Sequence, residues 1–190
     1  MFNEIFEDKT FEKQDFTSNF LPKGEYENCR FLNCNFSESD LKVITFSACE
    51  FRGCNLSNPK IMGTALKNVK FFNCKMLGFH FEICNPFLIE VHFENCNLDF
   101  SSFFKLKLKK TIFKNCSLKE SDFVQADLSG ALFENCDLLV ARFENTNLEK
   151  ADFRTAFNYE LDPELNNIKK ARFSKDGLTG LLMKYGIEIS

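Results

Sequence analysis

The chain has 190 residues, enough for one domain with a substantial core, and an uneven composition of 25 Phe and 9 Cys with no Trp. Its formal net charge of −3 gives no bulk electrostatic reason to bind nucleic acid directly. No apolar run approaches the roughly 18 residues of a membrane span, and residues 1–16 lack the regions of a secretion signal, so a cytoplasmic protein is expected.

Such an excess of Phe suggests one side chain reused at equivalent sites, which directs attention to repeats. Residues 1–28 hold seven acids and three bases, leaving 20 acids and 21 bases in a nearly neutral body. Here Phe11, Phe16, Leu21 and Tyr26 fall five apart, but no small residue precedes them and Pro22 and Gly24 intervene. An irregular first coil is expected over about 1–28.

From 29 to 81 the five-residue period is clear. Its centres are Phe31, Phe36, Leu41, Phe46, Phe51, Leu56, Ile61, Leu66, Phe71, Met76 and Phe81, with Cys or Ser two places before most of them. An α-helix scatters such a period around its circumference, and a flat strand needs a period of two. A chain that turns a corner every five residues keeps all the centres inside. Two inward residues per side and four sides give a coil of about twenty residues, each stacked roughly 4.8 Å from the next by backbone hydrogen bonds. The expected fold is all-β, a single quadrilateral β-helix domain.

The phase slips by two residues within 82–92, which predicts a bulge or corner loop around Asn85 and Pro86. A second run of repeats follows, over about 83–157. Phe93, Phe113, Phe133 and Phe153 share one side, Phe103, Phe123 and Phe143 the opposite one, and leucines fill the other two. Identical side chains therefore stack in columns.

All nine Cys fall on the small inward position, where they act as small hydrophobes and are expected to be buried and reduced. His80 and His92 point outward and lack the partners of a zinc site. The sequence shows no glycine-rich phosphate loop and no nucleophile elbow, so neither catalysis, a cofactor, a metal nor a small-molecule substrate is expected. Outward charges alternate in sign along columns such as Glu94, Lys114, Glu134 and Arg154, which reads as a solvated ladder. The outward apolar residues are more informative: Phe100, Phe104, Ile112, Val124, Leu132, Leu139 and Val140 form a candidate partner surface. Cover by the N-terminal arm is the competing reading.

Over about 158–190 the period lapses. Leu161 to Asn166 reads as a loop, and Ile168, Ala171 and Phe173 resume one partial coil. A short capping helix follows, with Ser174 as N-cap, Leu178, Leu181, Leu182 and Tyr185 on one face, and Gly186 at its end. Gly177 and Gly180 weaken it, so packing must hold it. Ile187 and Ile189 alternate like a short strand. The apolar face either caps a monomer or joins two subunits; the second reading makes Leu178, Leu181, Leu182, Tyr185, Ile187 and Ile189 the dimer interface.

The unit small–Asp/Asn–Phe/Leu–x–x, as at 126–128 and 151–153, resembles the pentapeptide-repeat family over nearly the whole chain. The tail, Leu161-Asp162-Pro163-Glu164-Leu165-Asn166-Asn167-Ile168 followed by Gly177-Leu178, Leu181-Leu182, Gly186-Ile187 and Ile189, resembles Qnr-type quinolone-resistance proteins and microcin immunity proteins. That resemblance implies a right-handed β-helix, a homodimer joined through the C-terminal helix, and protection of DNA gyrase or topoisomerase IV by a rod that mimics duplex DNA. The long projecting loops of some Qnr members are absent, and the neutral body lacks a strongly acidic surface. A solenoid scaffold for another protein partner is the alternative. A continuous acidic stripe would favour mimicry, an apolar or mixed patch the scaffold.

Overall fold

The computed structural model describes residues 4–188. Its strands are β1 (Glu4–Glu7), β2 (Thr10–Glu12), β3 (Gly24–Glu27), β4 (Arg30–Leu32), β5 (Thr45–Ser47), β6 (Glu50–Arg52), β7 (Ala65–Phe72), β8 (Ile89–Glu94), β9 (Ile112–Lys114) and β10 (Leu132–Glu134). All pair in parallel, and outside the β7–β8 pair each residue meets the one 20 positions on, as in Glu4↔Gly24, Phe31↔Phe51 and Phe113↔Phe133. Single bridges such as Asp40↔Lys60, Ser102↔Asp122 and Lys107↔Asp127 carry the same register onto the other sides. The result is a four-sided β-helix.

Each position of the repeat has a local reason. The corner residue takes the left-handed region, with φ of 53° at Asn33, 51° at Asn115 and 69° at Gly130. Asn and Gly enter that region most easily. On many sides the centre's carbonyl also accepts from the N–H three residues on, as in Ala131 N to Leu128 O at 2.9 Å, which is the bond of a β-turn. The Asp or Asn before the centre steadies the corner: Asp122 Oδ1 accepts from Val124 N at 2.9 Å, and Asp152 Oδ1 from Arg154 N at 3.1 Å.

Inside, Phe11, Phe31, Phe51, Phe71, Phe93, Phe113, Phe133, Phe153 and Phe173 form one continuous stack, with ring centroids 4.6–5.4 Å apart. Phe81, Phe103, Phe123 and Phe143 form a second, at 4.7–5.0 Å. The two stacks meet edge to face, as at Phe113–Phe123, where the planes cross at 85°.

The small inward position does more than leave room. Its side chain donates to the centre carbonyl of the preceding coil: Cys54 Sγ to Phe31 O at 3.3 Å, Cys136 Sγ to Phe113 O at 3.3 Å, Ser39 Oγ to Phe16 O at 2.9 Å, and Thr146 Oγ1 to Phe123 O at 2.8 Å. Inward carbonyls that water cannot reach thus gain a partner. All nine cysteines are buried and unbridged.

Burial pushes the thiols of Cys49 and Cys84 up to about 12, from an ordinary 9.0. A thiol raised in the folded state ionises first in the unfolded chain. Its contribution is therefore complete below pH 9.0 and is lost as the pH climbs through about 12. The urea midpoint should hold steady up to about pH 8.5 and then fall steadily towards pH 11, with native thiols labelling slowly at neutral pH. A midpoint that is flat to pH ~11, or fast labelling of most thiols, would contradict this assignment.

The phase slip is an insertion of two residues: Val69 pairs with Val91 and Phe71 with Phe93. Short 3-10 turns at Phe81–Ile83 and Pro86–Leu88 absorb it. Asn85 forms the corner, donating its N–H to Thr64 O at 2.8 Å and accepting from Phe87 N at 3.2 Å. The N-terminal coil is more regular than its sequence suggests. β1 and β2 hold the common register, Phe6 stacks on Tyr26 at 4.6 Å, and Phe16 on Phe36 at 4.7 Å. Aromatic stacking supplies the order that the missing small partners do not. Among the described residues of this coil only 17–23 leave the ladder, and there Lys23 Nζ reaches across to Asp40 Oδ1 at 2.9 Å.

At the other end Asn166 fills the small position, donating to Phe143 O at 2.8 Å and accepting from Thr146 N at 3.0 Å. A 3-10 turn (Asp176–Leu178), the helix α1 (Thr179–Leu182) and another 3-10 turn (Met183–Tyr185) follow. Ser174 Oγ accepts from Gly177 N at 3.0 Å, and Gly186, with φ of 59°, ends the segment. The two glycines are required by contact, since a Cβ on Gly177 or Gly180 would collide with Tyr159. Residues 187 and 188 are not a strand, because among the described residues no neighbouring backbone pairs with them; Ile189 lies outside the described residues.

Candidate binding surface

The corner and flanking positions of each repeat carry everything that can meet a partner. Charges there are largely neutralised locally. Lys114 Nζ lies 3.2 Å from Glu94 Oε1, Lys119 3.2 Å from Asp137, and Lys109 3.3 Å from Asp127. Arg154 turns away from the Glu134 column and grips Asp152 at 2.7 Å, holding that carboxyl below its usual range. The ladder is therefore mixed in sign, without a continuous acidic stripe along these columns.

His80 Nδ1 lies 3.0 Å from Glu82, while His92 is half-buried near the Phe72 ring, and desolvation lowers its pKa. A groove of about 490 Å³ near the N-terminal end is lined by Asp8, Asn28, Arg30, Ala48, Glu50, Asn68 and Lys70. It offers no nucleophile–base pair. Among the described residues no cluster of His, Cys, Asp and Glu could hold a metal, and no helix is long and apolar enough to cross a membrane.

Of the outward apolar residues, Ile112 and Leu132 pair directly across β9 and β10, and Leu139 and Val140 are chain neighbours at 46% and 62% exposure. Phe100 is exposed but stands apart from Val140, because the Glu120 coil runs between them. Phe104 is half-buried under Lys105, whose Nζ lies 4.7 Å from the ring centroid. Val124 is buried and leaves the surface: Phe104 and Glu144 flank it in its column, and the Asp122 turn closes on its N–H.

At the C-terminal cap Leu178, Leu182, Tyr185 and Ile187 are exposed, while Leu181 turns inward and packs on the core. Lys184 ties this segment down, 2.6 Å from Asp162 and 2.9 Å from Glu164. The Asp162 bond raises the Lys184 pKa, and the Asp162 carboxyl is lowered in return.

Val43, Met62, Ile83 and Phe87 were not singled out by the period, yet they are among the more exposed apolar side chains. Their signal in the sequence is Val43 at a corner position, where Asn or Gly is favoured, and Phe87 inside the phase slip.

The five-residue ladder, the left-handed corners and the stacked Phe columns define a pentapeptide-repeat β-helix. The family model of the pentapeptide repeat region matches residues 87–173. No curated protein matches it by sequence. Among solved structures it is similar to full-length QnrB1, a plasmid-mediated fluoroquinolone resistance protein, at 18% identity over 97% of this chain and 100% of that one, with a TM-score of 0.57. A trypsin-treated QnrB1 variant gives 19% identity over 100% of both chains and a TM-score of 0.54. At such identities the likeness is one of fold.

Proposed function

We propose that this is a non-catalytic binding protein that engages a type II topoisomerase, DNA gyrase or topoisomerase IV, and protects it from a drug or toxin by standing in for duplex DNA. The observation that carries the reading is the end-to-end fit to QnrB1, in which 97% of this chain and 100% of the other share one fold. The exposed Leu178, Leu182, Tyr185 and Ile187 support a homodimer joined through the C-terminal cap. A second reading, a solenoid module for another protein, draws on the mixed surface charge and on the Ile112–Leu132 and Leu139–Val140 pairs.

A supercoiling assay with gyrase and an inhibitory quinolone separates the two. Added protein should restore supercoiling in a dose-dependent way, and immobilised protein should retain gyrase subunits. Folded protein that neither restores supercoiling nor retains a subunit would remove the topoisomerase and leave the second reading.

A further inference from the structure

Along one edge of the rod, upstream of and beside the two-residue insertion, exposed apolar side chains follow one another from coil to coil. Val43 is 67% exposed, Met62 64%, Ile83 41% and Phe87 92%. The ladder places them together. Val43 N donates to Met62 O at 3.1 Å, Gly63 N to Ile83 O at 2.9 Å, and Asn85, two residues before Phe87, to Thr64 O at 2.8 Å. Gly63 is the next corner of this column, with φ of 73°, and a Cβ there would make ordinary contact with Val43 Cγ1 at 3.4 Å.

Val43 is also conformationally out of place. Its φ is 54°, a region that β-branched side chains avoid and that Asn occupies at many of the other corners. Asn or Gly suits such a corner better, and an exposed valine held there, as also at Val140 with φ of 58°, is a side chain that core packing does not account for. Phe87 is held out similarly, by the insertion and the Asn85 turn.

The rim of the strip is basic. Lys42 and Lys60 neighbour Val43 and Met62, and Lys105 and Lys107 follow Phe103, which stacks on Phe81 two residues before Ile83. None of these four lysines is ion-paired to a carboxylate among the described residues, whereas Lys109, Lys114 and Lys119 are. We propose that this edge docks an acidic amphipathic segment of a partner protein, whose apolar face lies on Val43, Met62 and Ile83 with Phe87 as anchor, and whose carboxylates meet the four lysines. Asp40, bonded to Lys23 at 2.9 Å, and Glu82, 3.0 Å from His80, also border the strip but have partners of their own, and an anionic bilayer is the other occupant that the test separates. The proposal does not depend on a topoisomerase target, since it rests on this edge alone.

The probe is a labelled helical peptide with Leu and Phe on one face and Glu on the other, compared by fluorescence polarisation with the same peptide carrying Lys for Glu. The acidic peptide should bind the full chain, weaken with added salt, and lose about tenfold in affinity with Phe87→Ser. Phe87 is 92% exposed, so this variant should keep the wild-type circular dichroism. Reversing two rim charges, Lys42→Glu with Lys105→Glu, should transfer the preference to the basic peptide. Failure of the acidic peptide to bind, equal binding of both peptides, or indifference to Phe87→Ser overturns the proposal. So does binding to phosphatidylserine vesicles that depends on Phe87 while the acidic peptide does not bind.

Discussion

Phe123→Ala should cost about 3–5 kcal/mol of folding free energy, read as a lower urea midpoint with an unchanged slope. The ring is fully buried and lies between Phe103, 4.8 Å away and 2° from parallel, and Phe143, at 5.0 Å and 9°. The edges of Phe113 and Phe133 close it at 6.0 and 5.9 Å. These neighbours are pinned by their own columns and by the backbone ladder, so the cavity left by alanine has little freedom to collapse. Phe100→Ala provides the contrast. It truncates a ring of similar size that is 55% exposed, and should shift the midpoint by no more than about 0.5 kcal/mol. Equal effects from the two substitutions would mean that the columns do not hold the rod together.

Leu182→Asp should turn a dimer into a monomer without unfolding either subunit. Leu182 lies on the exposed face with Leu178 and Tyr185, outside the contacts by which Leu181 and Gly180 anchor the segment to the core. A carboxylate buried there without a partner costs several kcal/mol, on the order of what holds a modest interface. The Lys184 bridges to Asp162 and Glu164 remain to fix the helix. Light scattering should report half the mass with unchanged circular dichroism, and protection of gyrase should weaken in the supercoiling assay. Wild-type protein that is already monomeric at micromolar concentration would dispose of the dimer.

The centres and the small positions are legible in the sequence because each is repeated and faces one environment. Phe31, Phe51 and Phe71 need only the period to be placed, and the two-residue slip follows from the change of phase. What escapes is whatever one copy decides alone. Val124 matches its outward position in type, yet its burial depends on Phe104 and Glu144 in adjacent coils. Leu181 faces inward where Gly177 and Gly180 bring the segment close against Tyr159. The first coil lacks the small residues of the pattern, but the rings of Phe6, Phe11 and Phe16 find Tyr26, Phe31 and Phe36 all the same. The candidate surface was legible only as outward apolar residues; how they cluster depends on the coils between them, as Glu120 between Phe100 and Val140 shows.

The two-residue insertion bears on how the chain finds its thread. A five-residue repeat is degenerate: sliding a coil by one side still places a large and a small residue inside, so misthreaded chains of similar energy compete during folding. Alternation of Phe with Leu removes part of that degeneracy, since a ring would then sit where a leucine belongs. The insertion removes more. Only one alignment puts the two extra residues, bridged by Asn85 to Thr64, at a corner where they can bulge outward. Any other forces them into a stacked side. Because partners elsewhere stand 20 residues apart, ordering can spread from coil to coil in either direction once that corner is set. The bulge thus acts as an index mark for the whole winding.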